Sequence, residues 1–498
     1  MHGSPQLAGE RLEARVTGRD DDRIDQGQAP LVDAYEAALA AEERPFTIPG
    51  HKGRTDLVGP VVAGDVPLYP GLDTLRPEGG ALGVAEGLAA DLWGADWCRF
   101  STGGSTHGNQ TLALAVGVPG DVVVATRAVH RSSLLGFVLA GLDPVWVLPD
   151  VDPRSGLPTG IPPARLAASL AANPGARAAF VVEPGYVGTR SDVGALAGVA
   201  HAAGVPLVVD QAWGAHLGFH PGLPPHALAA GADALVTSVH KALPGYTQAA
   251  MVLARTSEGD GSLDPDRLDR AFDATHTTSP AGAIVASIDA SRALLARDGH
   301  ALLARTIALV AAARQRLRAV EGLLVLDGPP DRVDPTKLVL GVAGTGAYGM
   351  AVEDDLIEAG FPVEMADRDT VVAIVTVADT AETVEPFVDL LIRAIEKRRA
   401  DPRPVADTPW LTGSLPEVAL SPRAAFFAPH ETVAAERAVG RVSTELLSPY
   451  PPGIPALVPG EVVTREIVDA LRAAATAGVK IAYAADPSVR TLQVVARP

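Results

Sequence analysis

The chain of 498 residues carries 41 Lys and Arg against 59 Asp and Glu, a net charge of −18 that argues against non-specific nucleic-acid or anionic-membrane binding and suits a cationic substrate. A hydrophobic fraction of 47% supports a folded, multi-domain chain, and Cys98, the only cysteine, excludes an intramolecular disulfide framework or a cysteine metal cluster. No apolar run reaches the roughly 18 residues of a membrane span, and the polar stretch Met1 to Ala29 has no signal-peptide core, so a cytoplasmic protein is expected.

Residues 1 to about 29 read as a mobile leader. Leu31, Ala34, Tyr35 and Ala38 have helical spacing, and Pro49-Gly50-His51-Lys52-Gly53 reads as an ordered loop. From about 80 to 290, short apolar runs alternate with Ala/Leu/Gly helices such as 164–172 and 194–203. The strand candidates are 122–125, 144–148, 179–182, 206–209, 234–236 and 250–254. Continuous apolar strands joined by crossover helices predict an α/β fold with a mostly parallel sheet covered on both faces, whose ligands sit at the carboxyl ends of the strands. A long Ala-rich helix, about 281–320, connects to an alternating region at 321–400 that predicts a smaller α+β domain. Beyond a Pro-rich linker near Asp401, the expected elements are a helix at 432–447, the turn run Pro449–Pro455 and a closing helix from Thr464. The implied division is 1–55 leader and arm, 56–290 large cofactor domain, 291–400 small domain and 401–498 C-terminal domain.

Two strand ends carry the chemistry. The apolar run Val205–Val209 ends on Asp210, and Ala234–Val236 leads into Thr237-Ser238-Val239-His240-Lys241. An enzyme using pyridoxal phosphate (PLP) needs such a pair: a lysine amine for the Schiff base with the aldehyde, and a carboxylate that keeps the pyridine nitrogen protonated. Ser101–Asn109, rich in Gly, Ser and Thr, precedes a helical run. In this company its Gly104, Ser105 and Thr106 read as a phosphate cradle, with Ser238 a second ligand. His130 reads either as an imidazole stacked on the pyridine ring or as a plain loop histidine. Ala212 would leave room on the ring's other side, and Trp213 borders the pocket or fills the core. His240 could relay a proton to the substrate α-carbon or simply pack beside the lysine. Tyr186, in the loop Glu183–Gly188, is a further candidate for the site. His276-Thr277-Thr278-Ser279 is either a helix cap or another phosphate ligand. His216 and His220 are spaced i, i+4, but Gly218 lies between them and no carboxylate set accompanies them, so no metal is expected.

With these residues placed, the chain resembles the ornithine/lysine/arginine decarboxylases of the aspartate-aminotransferase fold, the fold type I PLP enzymes. The resemblance covers roughly residues 30 to 498 and rests on six ordered segments. They are Pro49–Gly53, Gly104–Asn109, Asp210–His216, Ser238–Lys241, His276–Pro280 and Pro449–Pro455 followed by Pro459-Gly460-Glu461. It implies Lys241 as the Schiff-base lysine, Asp210 as the partner of the pyridine nitrogen and His130 as the stacking residue. Ser105, Thr106 and Ser238 become phosphate ligands. It also implies a homodimer or higher homo-oligomer in which Thr277 and Thr278 reach the neighbouring subunit's phosphate, and it offers Glu461 as the contact for the substrate's distal cation. Gln211 stands where many relatives carry an acidic residue, and the N-terminal wing of the larger members is absent, which favours a dimer or tetramer over a decamer. The expected reaction is decarboxylation of arginine, lysine or ornithine. The alternatives are another fold type I reaction, transamination or aldol cleavage, and a non-catalytic PLP-fold binding protein.

Overall fold

The computed structural model describes residues 25–41, 46–67, 80–256, 263–450 and 453–497; most of the expected leader lies outside them. Seven strands form the central sheet: β1 (Trp97–Ser101), β2 (Val122–Thr126), β3 (Asp143–Val147), β4 (Ala179–Val182), β5 (Leu207–Asp210), β6 (Ala234–Ser238) and β7 (Ala250–Ala254). Their order is β1-β7-β6-β5-β4-β2-β3. The pairs β3/β2, β2/β4, β4/β5 and β5/β6 are parallel, whereas β7 runs antiparallel to both β6 and β1. The mostly parallel α/β sheet expected from the apolar runs is therefore present.

Why these runs lack polar alternation is clear from what covers them. Leu207 and Val209 of β5 face one apolar layer, with the helices Ala81–Trp93 and Val193–Ala202, while Val208 faces the other, with Gly104–Val116 and Arg131–Ala140. A strand buried on both faces has no reason to alternate. The strand β1 was not anticipated, because Arg99 interrupts its apolar run. That guanidinium pairs with Asp269 at 2.7 Å and lies 3.6 Å from buried Glu86, which lets a charged residue sit inside an edge strand.

The predicted connector is a single helix, Gly282–Leu317, of 36 residues and about 54 Å. Its N-terminal part packs into the large core through Val285, Ile288, Leu295 and Leu303, its C-terminal part into a separate core through Val310, Ala313 and Leu317. That second core backs a four-stranded antiparallel sheet of β8 (Leu324–Val325), β9 (Lys337–Gly341), β10 (Met365–Ala366) and β11 (Thr370–Ile374), ordered β10-β11-β9-β8.

The C-terminal region departs from expectation. Where a helix was predicted at 432–447, the chain forms β12 (His430–Ala434), one helical turn at Ala435–Ala438, and then non-helical chain to β13 (Ser448–Tyr450). Gly440, at φ +79°, breaks any helix there, and β12 gains a five-pair ladder with β15 (Thr491–Val495). The helix expected from Thr464 is present as Arg465–Thr476, with Thr464 Oγ1 accepting from the Ile467 amide at 3.2 Å. It does not close the chain, since β14 (Lys480–Ala482) pairs with β13 and β15 follows.

Candidate active site

Asp210 ends β5 opposite Val236, so the next strand needs only two more residues to end in Ser238 on the same edge of the sheet. Lys241 follows on a one-turn helix, Val239–Ala242. Three chain segments then converge on these strand ends.

The first is the loop into the helix Gly104–Val116. Gly104 takes φ +68°, and its amide donates to Gln248 O at 2.9 Å. This turn delivers the Ser105 hydroxyl to within 2.6 Å of the Ser238 hydroxyl, joining two stretches 133 residues apart. No side chain caps this helix, and the Thr102 hydroxyl beside it is buried without a partner. Free first-turn amides and converging hydroxyls suit a phosphate group. Thr106, also in this first turn, is exposed.

One helical turn after Ser105, Asn109 faces the same direction. Its Nδ2 donates to Asp210 Oδ2 at 2.7 Å and to Ser132 Oγ at 2.8 Å. The Ser132 hydroxyl meets His130 Nδ1 at 2.8 Å, and the Ser132 amide donates to the same nitrogen at 3.2 Å, which leaves the ring proton on Nε2. His130 keeps an open face, yet the dense protein around it lowers its basicity. Asp210 opposes that shift, while Lys241 and Arg131 add to it. The second oxygen of Asp210 accepts the Ala212 amide at 3.1 Å, and Ala212 O accepts the Ser238 amide at 3.3 Å. Asp210 is thus held at both oxygens by neutral donors.

Gln211 spends its amide elsewhere: Nε2 donates to Gly214 O at 2.8 Å and Oε1 accepts the Ala227 amide at 2.6 Å. An acid at this position would lose the first of these bonds.

Lys241 is half-buried. Its amine sits 4.2 Å from the centre of the Trp213 ring. Burial lowers its basicity, with the charges of Asp210 and Glu364 partly restoring it. Beside it, His240 has Nδ1 2.9 Å from Ala249 O, and burial likewise makes its imidazole less basic. The Tyr186 hydroxyl donates to Glu364 Oε1 at 3.1 Å, and its ring meets Trp213 edge-on at 5.2 Å.

Two expectations fare differently. Thr277 and Thr278 are exposed at the end of the helix Pro265–Thr275, and it is His276 that packs inward, stacked on Phe272 at 4.8 Å. Glu461 requires a correction. It is fully buried, and both its oxygens accept from the Arg127 guanidinium, at 2.6 and 2.8 Å, with the Val458 amide as a further donor at 2.9 Å. Its charge is already neutralised, so it does not serve as the free carboxylate expected for a distal cation. His216 lies 3.1 Å from Asp334, and among the described residues no group of three or more ligating side chains could hold a metal.

Residues missed at the sequence level are Asn109, Ser132, Arg127, Glu364 and Lys337. Asn109 was read as the end of the loop before the helical run; the helix starts at Gly104 instead, and it is this that puts Asn109 one turn after Ser105. Lys337 opens an apolar strand and carried no local signal.

The chain is similar to proteins already described. The family model described as Orn/Lys/Arg decarboxylase, major domain, matches residues 29–337, and the one described as Orn/Lys/Arg decarboxylase, C-terminal domain, matches 409–481. The chain is 32% identical to the arginine decarboxylase of Halalkalibacterium halodurans, covering 94% of this chain and 98% of that one. Against the arginine decarboxylase of Bacillus subtilis it is 30% identical over 95% and 99%. Among solved structures, lysine decarboxylase A from Pseudomonas aeruginosa superposes with a TM-score of 0.80 at 21% identity, covering 99% of this chain and 83% of that one. The chain belongs to the Orn/Lys/Arg decarboxylase family.

Proposed function

We propose that this protein is a PLP-dependent decarboxylase that converts arginine to agmatine and CO2. The observation that carries the reading is the convergence of Lys241, Asp210, Ser105 and Ser238 at adjacent strand ends. Arginine is chosen over lysine and ornithine because four curated relatives at 30–32% identity bear the name arginine decarboxylase, whereas the relatives named for lysine are 23–26% identical.

In this reading Ser105, Ser238 and the first-turn amides would hold the phosphate, Lys241 would bond to the aldehyde, His130 would lie against the ring and Asp210 would keep the pyridine nitrogen protonated. When bound, the cofactor supplies the electron sink for the bond pair left as CO2 departs. The protein's own groups do the rest. A half-buried Lys241, easier to deprotonate than an exposed lysine, offers a free amine nearer neutral pH. The α-carbon then needs a proton. Lys241 and His240 are the candidates to deliver it. Burial lowers the basicity of both, and what favours Lys241 is that its amine has no hydrogen-bond partner among the described residues, while His240 Nδ1 is held 2.9 Å from Ala249 O. The exposed Thr277 and Thr278, with exposed Phe46 and Ile48 on the N-terminal arm and Leu57 and Val61 just after it, support a homodimer with sites at the subunit boundary.

The test is direct. The purified protein is incubated with PLP and, separately, with arginine, lysine and ornithine, and CO2 and amine are measured. Release from arginine alone is the expected result. No release from any, with cofactor bound, would overturn the decarboxylase reading. Lys241→Ala is expected to abolish turnover and the visible absorbance of the bonded cofactor; retained turnover would sink the lysine assignment.

A further inference from the structure

Building on the decarboxylase reading, we infer that Lys337 is a positioning residue that binds the α-carboxylate of the substrate beside Lys241. Lys337 is the first residue of β9, at 4% exposure, and its ammonium lies 3.7 Å from the centre of the Trp213 ring. Lys241 approaches the same ring at 4.2 Å, so the two nitrogens lie within about 8 Å of each other. Both line one cleft with Trp213, Leu303, Thr306 and Thr376.

Asp334 and Glu364 are near enough to act on Lys337 through their charge, but neither makes an ion pair with it, and each has another partner. Asp334, three residues earlier, is engaged by His216 at 3.1 Å and by the Thr336 hydroxyl at 2.8 Å. Glu364 accepts from Tyr186. Among the described residues no carboxylate forms an ion pair with Lys337, and the indole face replaces only part of the hydration lost. A buried ammonium with no carboxylate in direct contact, beside a second amine, makes a place for an anion.

The chemistry of that anion follows from its neighbours. The phosphate cradle is formed by other residues, Ser105 and Ser238. A basic amino acid carries one anionic group, separated from its amine by a single carbon. With the amine at Lys241, the carboxylate one carbon away is the group left to meet Lys337, whose nitrogen is at most about 8 Å from that of Lys241. A lysine is also the fitting cation for a group that must leave: it offers a point charge, without the bidentate clamp by which arginine would stabilise the bound carboxylate.

The test uses the holoenzyme and two ligands that lack the α-amine and so cannot react. δ-Guanidinovalerate keeps the carboxylate of arginine, and butylguanidine lacks it. Calorimetry on the wild type is expected to show δ-guanidinovalerate binding at least about tenfold tighter. Lys337→Met is expected to erase that preference and Lys337→Arg to keep it, with melting curves and cofactor absorbance confirming folded, loaded protein. Lys337→Gln serves if the Met variant fails to fold. Persistence of the preference in the folded Met or Gln variant, or its absence in the wild type, overturns the inference. Release of CO2 from arginine is read separately, so the carboxylate contact can fail while the decarboxylase reading stands.

Discussion

At Lys337 a single residue trades stability for placement. Burial lowers its basicity to about 8, from an ordinary lysine value near 10.4, while Asp334 and Glu364 hold it from falling further. A base depressed in this way binds fewer protons folded than unfolded between about pH 8 and 10. The wild type therefore gains stability as pH rises through that window, and its buried charge costs most below it. Lys337→Met is expected to raise stability at pH 7 by on the order of 1–3 kcal/mol, and the gain should shrink as denaturant titrations move from pH 8 to 10. An equal gain at all pH values would mean that the ammonium is not what costs stability. The same residue marks where sequence reading stopped. Asp210 was legible because it ends an apolar run and Lys241 because it follows one in Ser238-Val239-His240-Lys241, and a charged residue at or just past a buried strand end calls for explanation. Lys337 begins such a run, which is ordinary. Its surroundings come from Trp213 and Glu364, which no local pattern links to it.

Among the elements, the helix Gly104–Val116 holds most of the site, carrying Ser105 to Ser238 and Asn109 to Asp210. It can lie that close to the sheet because residue 108 has no side chain. A Cβ on Gly108 would come 2.1 Å from a methyl of Val236 and 2.9 Å from one of Val252. Gly108→Ala is expected to push the helix off the strands, costing about 1–3 kcal/mol and weakening PLP retention, as read by melting and cofactor titration. Gly87, in the helix Ala81–Trp93, is the control: a Cβ there meets nothing within 4 Å, so Gly87→Ala should add about 0.5–1 kcal/mol and leave the cofactor undisturbed. Equal effects of the two would show that the close approach at Gly108 is not what seats the helix. Gly108 itself was visible in the Gly104–Asn109 run as one more small residue. That it permits contact with two strands more than 120 residues downstream depends on the packing. The central strands and the long connector were legible because each pattern persists over a whole element. The segment 432–447 was not, since its strand exists only through pairing with β15.

Across the whole molecule, the C-terminal region is fastened to the large sheet by Arg127, the residue after β2, and Glu461. Arg127 also donates through Nε to Pro455 O at 2.8 Å, and its guanidinium carbon lies 5.3 Å from the Trp146 ring centre. Both charged side chains are at most 1% exposed. Such a pair adds little net stability over apolar residues of similar size, but removing one partner leaves a buried charge unpaired. Arg127→Met alone is therefore expected to cost about 3–5 kcal/mol, and Arg127→Met with Glu461→Leu to recover most of that loss, as measured by denaturant unfolding of the holoenzyme. Binding separates this fastening from the role first expected of Glu461. If that carboxylate read the substrate's distal cation, the stable double variant would lose affinity for butylguanidine, which consists of little besides that cation. As a fastening alone, the pair can be exchanged for apolar residues and the affinity should stay within about twofold of the wild type, because the guanidinium is then recognised by groups other than Glu461.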